Sequence, residues 1–253
     1  MTDVSTLSDL ENDATRVTVP RSPSRILGLM AWALPASSVK NRLLRRLGHT
    51  IGDKVIIGPT LVLACGTFVF ADGVSVGTGN VFRRLRRVDV GRNGMIGNFN
   101  LVSASPEYQR FDGRAGVLRM SEESIVTNRH YLDCSGIIEI RRRSMLGGVR
   151  SILQSHEIDI VTNRTTIGMI VIGERSFVGT GCMLLKNAHI PSESLIAAGS
   201  VVLARRSTDE LKAGIYAGNP ARWKSTLHGS AWWDRTTLHT LPESALDFDV
   251  SFE

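Results

Sequence analysis

Cysteine is scarce in this chain. The three that occur, Cys65, Cys134 and Cys182, are odd in number, far apart and never in CxxC spacing. Neither a disulfide framework nor a cysteine-held zinc site is expected from them. Aromatic residues are few as well, at 6%, while glycine occurs 24 times. A core with so few rings is narrow and filled by small aliphatics, and the glycines point to many turns. Long apolar runs are also missing. The best, "ILGLMAWAL" (Ile26–Leu34), is far shorter than the ~20 residues that span a bilayer, and Pro35 ends it. The first 24 residues are polar and contain no apolar signal core. The expectation is a cytoplasmic protein whose residues 1–24 are poorly ordered.

Acidic residues are absent from Arg16 to Arg46, where Arg16, Arg21, Arg25, Lys40, Arg42, Arg45 and Arg46 all fall. These seven exceed the whole chain's net charge of +6, so the basicity is local. A second cluster is "FRRLRR" (Phe82–Arg87). A basic, partly apolar segment over residues 25–50 suits either a helix packed on the domain or peripheral contact with an anionic membrane surface. No helix-turn-helix, zinc or RNA-binding signature accompanies the charge, so nucleic acid is not expected as a partner.

What the sequence does have is a beat of six. In "IGERSF/VGTGCM/LLKNAH/IPSESL/IAAGSV/V" the lead positions are Ile172, Val178, Leu184, Ile190, Ile196 and Val202. Earlier runs repeat it: Ile51, Ile57, Leu63; Phe70, Val76, Phe82; Val90, Ile96, Val102; Met120, Val126, Leu132; and Ile140, Leu146, Ile152, Ile158. A period of six is neither helical nor a plain alternating strand. It suits a solenoid in which three short strands make one triangular coil of about 18 residues, with the lead residue inside. Six coils are expected, with a seventh starting at Ile190. Two stretches leave the beat, Ser103–Arg119 and Asp159–Val171, and loops ejected from a solenoid often carry function.

These features resemble the hexapeptide-repeat acyltransferases, most closely the sugar and exopolysaccharide O-acetyltransferases. The likeness covers about Arg42 to Arg222, and "VIGERSFVGTGCML", "IPSESLIAAGSVV" and "AGNPAR" carry it. It implies an all-β fold, a left-handed parallel β-helix of about six to seven triangular coils. A short helical segment precedes the helix (residues 51–222, with loops 103–119 and 159–171), and a short tail, residues 223–253, follows it. The resemblance further implies a homotrimer, acetyl-coenzyme A or another acyl-coenzyme A lying between neighbouring β-helices, and one histidine as base. A sugar or glycan precursor is the implied acceptor. A non-catalytic scaffold, or an amine or amino-acid acceptor, stands as the alternative.

Of six histidines, His49, His228 and His239 flank the repeats and His189 closes a regular hexad. His156, in "GVRSILQSHEID", stands at the end of a coil beside an ejected loop, the place the family's catalytic histidine takes. His130 falls where relatives present a polar residue, commonly Asn, to the site, and Asn100 holds the equivalent position one coil earlier. Glu157 and Asp159 are the nearest acids and could orient the imidazole, and Glu157 is also a candidate for touching the acceptor. For the cofactor the resemblance implies Thr180, Ala197, Ala198 and Gly199, with Arg205, Arg206 and Arg222 for its phosphates. No metal is expected. The gamma-class carbonic anhydrases share the repeat, but they need three histidines with two close in sequence, and no two here lie within ten residues.

Overall fold

The structure is a computed structural model and describes residues 25–204, 212–227 and 229–235. Residues 1–24, Arg205, Arg206, His228, His239 and most of the tail lie outside the described residues.

The described chain is a parallel β-helix. Strands recur in groups of three and stack into three faces. The first face runs from Thr50–Ile51 to His189–Ile190, the second from Ile56–Ile57 to Ser194–Ile196, and the third from Thr60–Leu63 to Val201–Val202. Each face takes one strand per coil, all parallel, so seven coils are complete. The hydrophobic lead residues fill the prism. Phe70, Val76 and Phe82, then Val90, Ile96 and Val102, then Met120, Val126 and Leu132 are all buried.

The corners show how so short a coil closes. At the first corner, between faces one and two, every coil places a residue in the left-handed region: Lys54, Gly73, Asn93, Glu123, Arg143, Arg175 and Glu193. Its N–H donates to a carbonyl of the coil below, as Glu123 does to Arg92 at 2.8 Å and Glu193 to Glu174 at 2.9 Å. The strain of a side chain at positive φ is thus offset by a backbone bond repeated along the axis. Alternating charges line this corner, with Arg143 Nε to Glu123 Oε2 at 2.5 Å and Arg142 Nη2 to Glu174 Oε1 at 2.6 Å.

Inside the second corner runs a polar ladder. Asn80 Oδ1 accepts the Asn100 N–H at 2.9 Å, Asn100 Oδ1 the His130 N–H at 2.9 Å, His130 Nδ1 the Ser151 N–H at 3.1 Å, and Ser151 Oγ the Cys182 N–H at 3.2 Å. Each side chain satisfies a buried backbone donor one coil above it, which is why these polar residues are tolerated inside.

Three lead positions differ from the six-residue expectation. Leu63 is 37% exposed because Val62 pairs with the buried Phe82 and takes the inward place. Ile152 yields the core to Leu153, which is fully buried. The cause is an extra residue in Met145–Val149, where the register with the strand below shifts. Gly148 makes that bulge at φ 67°, where a Cβ would lie 2.1 Å from Thr180 Oγ1. Ile158 is 62% exposed, because it has already left the coil.

The N-terminal segment is two helices, α1 (Arg25–Ala33) and α2 (Ser38–Arg46), closing the first coil. Ser37 caps α2, its Oγ accepting the Lys40 N–H at 3.1 Å. Trp32 and Leu44 seal the prism, Trp32 against Phe68 at 4.5 Å between ring centres. Lys40 is not a surface cation. It is fully buried, and its Nζ donates to the carbonyls of Trp32, Leu34 and Gly58 at 2.7–2.8 Å. Burial pushes its pKa down to about 8. Arg45 likewise serves the backbone, donating to Ile51 O and Gly52 O. At the other end Gly214–Ala217 adds to the second face and Arg222–Ser225 returns antiparallel, so the sheet runs three residues past Arg222. Trp232 then packs edge-on to Phe177, with Arg235 bonded to the Arg143 carbonyl.

Candidate active site

Both ejected loops leave from the third corner, between faces three and one. The first spans residues 104–116 and contains a one-turn helix, α3 (Tyr108–Phe111). The second is an antiparallel hairpin of His156–Asp159 and Arg164–Ile167, so the departure begins at His156 rather than after it. Gly136, in the coil below the hairpin, is compelled by packing, since a Cβ there would meet Gly168 O at 2.1 Å.

His156 sits where the two loops converge. Its Nδ1 is hydrogen-bonded to Asp133 Oδ2. The imidazole side chain is 34% exposed, the carboxylate 4%. Asp133 ends the third-face strand of the coil below (Tyr131–Asp133), paired with Gln154. Its other oxygen, Oδ1, accepts from the Ser135 N–H at 3.1 Å and the Ser135 hydroxyl at 2.6 Å. The first loop joins this network, the Ser105 N–H donating to Ser135 Oγ at 3.0 Å. A buried, fully bonded carboxylate accepting Nδ1–H fixes the tautomer and leaves Nε2 free to accept a proton.

Tyr108 covers the imidazole from the first loop, at 5.8 Å between ring centres. The "FRRLRR" cluster holds that loop in place. Arg86 Nη2 donates to Gln109 O at 2.5 Å, and Gln109 Nε2 returns to Arg84 O at 2.7 Å. What reads in sequence as a basic patch is here an anchor for the wall of the site.

Neither acid beside His156 in sequence orients it. Glu157 lies on the alternate side of its strand and pairs with Lys186 Nζ at 2.6 Å, a lysine that also donates to Thr166 Oγ1 at 2.6 Å. These bonds pin the hairpin to the coil above. Asp159 holds the hairpin turn, accepting the Val161 and Thr162 N–H groups. The orienting acid is Asp133, one coil below. Its signal in the sequence is the alignment of "YLDCSG" beneath "ILQSHE", which the extra residue in Met145–Val149 obscures.

Within one chain His130 and Asn100 do not reach His156. They lie in the ladder at the second corner, 2% and 1% exposed. With Nδ1 taken by the Ser151 N–H, the neutral His130 ring carries its proton on Nε2, 2.9 Å from Thr127 Oγ1. Burial pushes its pKa down to about 4. His49 is a packing residue stacked edge-on to Trp32, and burial pushes its pKa to about 4 as well.

Of the residues expected at the cofactor, the described ones, Thr180, Ala197, Ala198, Gly199 and Arg222, share one place, the outside of the second corner in the upper coils. Thr180 Oγ1 accepts the Val149 N–H at 2.8 Å, and the Gly199 N–H donates to Thr180 O at 2.9 Å. Ala198 and Gly199 are exposed, and open space lies where a Gly199 Cβ would stand. Ala197 O is taken by Ser200 Oγ at 2.7 Å. Arg222 is exposed near the top of the same corner, where the Ala221 N–H meets Val201 O. In a single chain this column and His156 therefore occupy different corners, with the third face between them.

No family model matches the chain, and no curated protein sequence matches it. Solved structures do. One is a variant of AntD, an N-acyltransferase from Bacillus cereus, in complex with dTDP-4-amino-4,6-dideoxyglucose and coenzyme A. It is 15% identical, with a TM-score of 0.47, over 76% of this chain and 90% of that one. Another is the polysialic acid O-acetyltransferase OatWY, 16% identical, with a TM-score of 0.42, over 74% and 96%. A third is the polysialic-acid-specific acetyltransferase NeuO, 15% identical, with a TM-score of 0.38, over 70% and 75%. Among the described residues no three His, Cys, Asp or Glu side chains gather as metal ligands, and no helix is long and apolar enough to cross a membrane.

Proposed function

We propose that the chain is an acyl-coenzyme-A-dependent acyltransferase, acting on a hydroxyl of a sugar or glycan precursor, with His156 as general base. The observation that carries this reading is the half-exposed imidazole whose Nδ1 is held by the buried Asp133 carboxylate. A hydroxyl attacks a thioester only as its proton leaves, and a neutral imidazole with a free Nε2 is suited to take it at neutral pH. In the proposed step the acceptor oxygen bonds to the thioester carbonyl carbon as its proton passes to Nε2. The tetrahedral intermediate expels the coenzyme A sulfur, which takes the proton back. With His130 buried, the donor for the oxyanion is a backbone N–H of a neighbouring coil.

The separation of His156 from the Thr180–Gly199 column supports a homotrimer. Copies turned about an axis parallel to the prism bring the third corner of one against the second corner of the next, at similar height. The exposed apolar side chains on the two loops, Phe111, Ile160 and Val161, suit burial in such an assembly. The N-terminal end is compatible with peripheral contact at an anionic membrane. There Leu27, Met30 and Val39 are exposed with Arg42 and Arg46 nearby.

The experiment is incubation with acetyl-coenzyme A and a panel of sugar and glycan acceptors. Coenzyme A release is followed by a thiol reagent and the acceptor's mass by mass spectrometry. Acceptor-dependent release with an acetylated product is expected. Absence of transfer to every hydroxyl acceptor, with transfer to an amine, would move the reading to an N-acyltransferase.

A further inference from the structure

The left-handed positions of two corners carry charge in opposite ways. At the first corner the cations meet carboxylates, Arg143 with Glu123 and Arg175 with Glu193. At the second corner the corresponding positions in successive coils are Phe99, Arg129, Arg150, Gly181 and Gly199. Arg129 and Arg150 are exposed and adjacent in the stack, the Arg150 N–H donating to Arg129 O at 3.1 Å. Among the described residues neither has a carboxylate partner. Two like charges one strand spacing apart, roughly 4.8 Å, repel each other. Both also hold an unfavourable backbone conformation, with φ of 56° and 62°. Phe99, 57% exposed, supports the lower one, its ring centre 5.8 Å from the Arg129 guanidinium.

We infer that Arg129 and Arg150 form a clamp for the diphosphate of a bound ligand. Guanidinium forks bind phosphoryl oxygens through paired charge-assisted hydrogen bonds, and two forks one coil apart match two linked phosphoryl groups. The clamp continues the column of Thr180, Ala198 and Gly199 downward, toward the N-terminal end, whereas Arg222 lies at its upper end. A ligand spanning from Arg150 toward Thr180 would pass the height of His156 in a neighbouring copy. The choice of ligand rests on the acyl-transfer reading, in which a diphosphate has two sources. One is the acyl-coenzyme A, and the other is a nucleotide-activated sugar serving as acceptor. The existence of the clamp needs no turnover.

The test is isothermal titration of the full chain with inorganic pyrophosphate, uridine diphosphate and coenzyme A. The variants are Arg129→Asn and Arg150→Asn, because asparagine tolerates left-handed backbone. Arg150→Lys keeps the charge without the fork, and Arg142→Gln, at the first corner, is the control. Each asparagine variant is expected to weaken pyrophosphate about tenfold or more, with Arg150→Lys intermediate and Arg142→Gln unchanged. Loss confined to uridine diphosphate assigns the clamp to the acceptor, and loss of coenzyme A binding assigns it to the cofactor. Unchanged affinities for all three probes overturn the clamp, even if acyl transfer is found. So does dissociation of an oligomer in the variants at unchanged affinity, which makes the arginines subunit contacts.

Discussion

Asp133 and His156 are 23 residues apart in the chain and directly hydrogen-bonded in space. One strand pairing brings them together. Tyr131–Asp133 lies under Ile152–Gln154, and the chain leaves the coil just past the end of that pair. The carboxylate is buried, and the imidazole is partly exposed with the Tyr108 ring of the first loop beside it.

This relationship gives the sharpest prediction. His156→Ala should lower turnover by roughly 10²–10⁴-fold while the chain stays folded. Asp133→Asn should approach the same loss, because its amide would donate to Nδ1 and move the proton to Nε2, leaving no base. The acyl-coenzyme A KM should change little in either. Steady-state kinetics with thiol detection checks both, and a His156→Ala variant of full activity would remove it from the base role.

His130→Asn should leave turnover intact and the fold sound, because it extends the Asn80–Asn100 ladder upward. The variant also has a pH signature. The ordinary value of the ring is 6.5 and the folded value about 4, so between them the unfolded chain binds more protons. Stability therefore rises with pH across that window and is lost as pH falls through it. His49 titrates in the same sense. Removing His130 should make the fall in Tm between pH 6.5 and 4 shallower, as read by thermal melts at a series of pH values.

The bulge at Gly147–Gly148 can be tested by paired truncations. Leu153→Ala removes a fully buried side chain and should cost about 2–5 kcal/mol. Ile152→Ala, one residue earlier and outside the packed centre, should cost less than about 1 kcal/mol. Urea denaturation distinguishes them. The reverse order would restore the strict six-residue register.

Lys40→Met should destabilise the N-terminal cap. It strands the carbonyls of Trp32, Leu34 and Gly58 without their donor, a loss of about 2–5 kcal/mol. A fall in Tm of roughly 5–15 °C is expected by calorimetry. Turnover at low temperature should persist, since the cap closes the first coil and His156 ends the fifth.

Much of this architecture is legible in the amino-acid sequence, because each coil needs an inward aliphatic at nearly fixed spacing. The beat marks the seven coils and both loops. It misplaces Leu63 and Ile152, where a coil side is one residue shorter or longer. It also locates His156 beside a departure from the coil, but not its partner. Adjacency in sequence favours Glu157, whereas a strand turns alternate side chains apart and the contact is made across coils. The same limit explains His130. Polarity at a repeat position suggests a site, yet Asn80, Asn100, His130 and Ser151 serve one another's backbone inside the corner. Lys40 reads as surface charge because three carbonyls converging from α1 and the first coil leave no mark on the residues around it.

Both loops depart from a single edge, while the first and second corners eject no loop in any of the seven coils. The side chains that surround His156, from Arg84 to Lys186, are therefore carried by consecutive turns of one rod. Lengthening the rod beneath Arg84 by one coil would translate that unit by about 4.8 Å and alter none of its internal distances. The prism acts as a ruler. Reach from the capped end can be adjusted in whole graduations without retuning the chemistry.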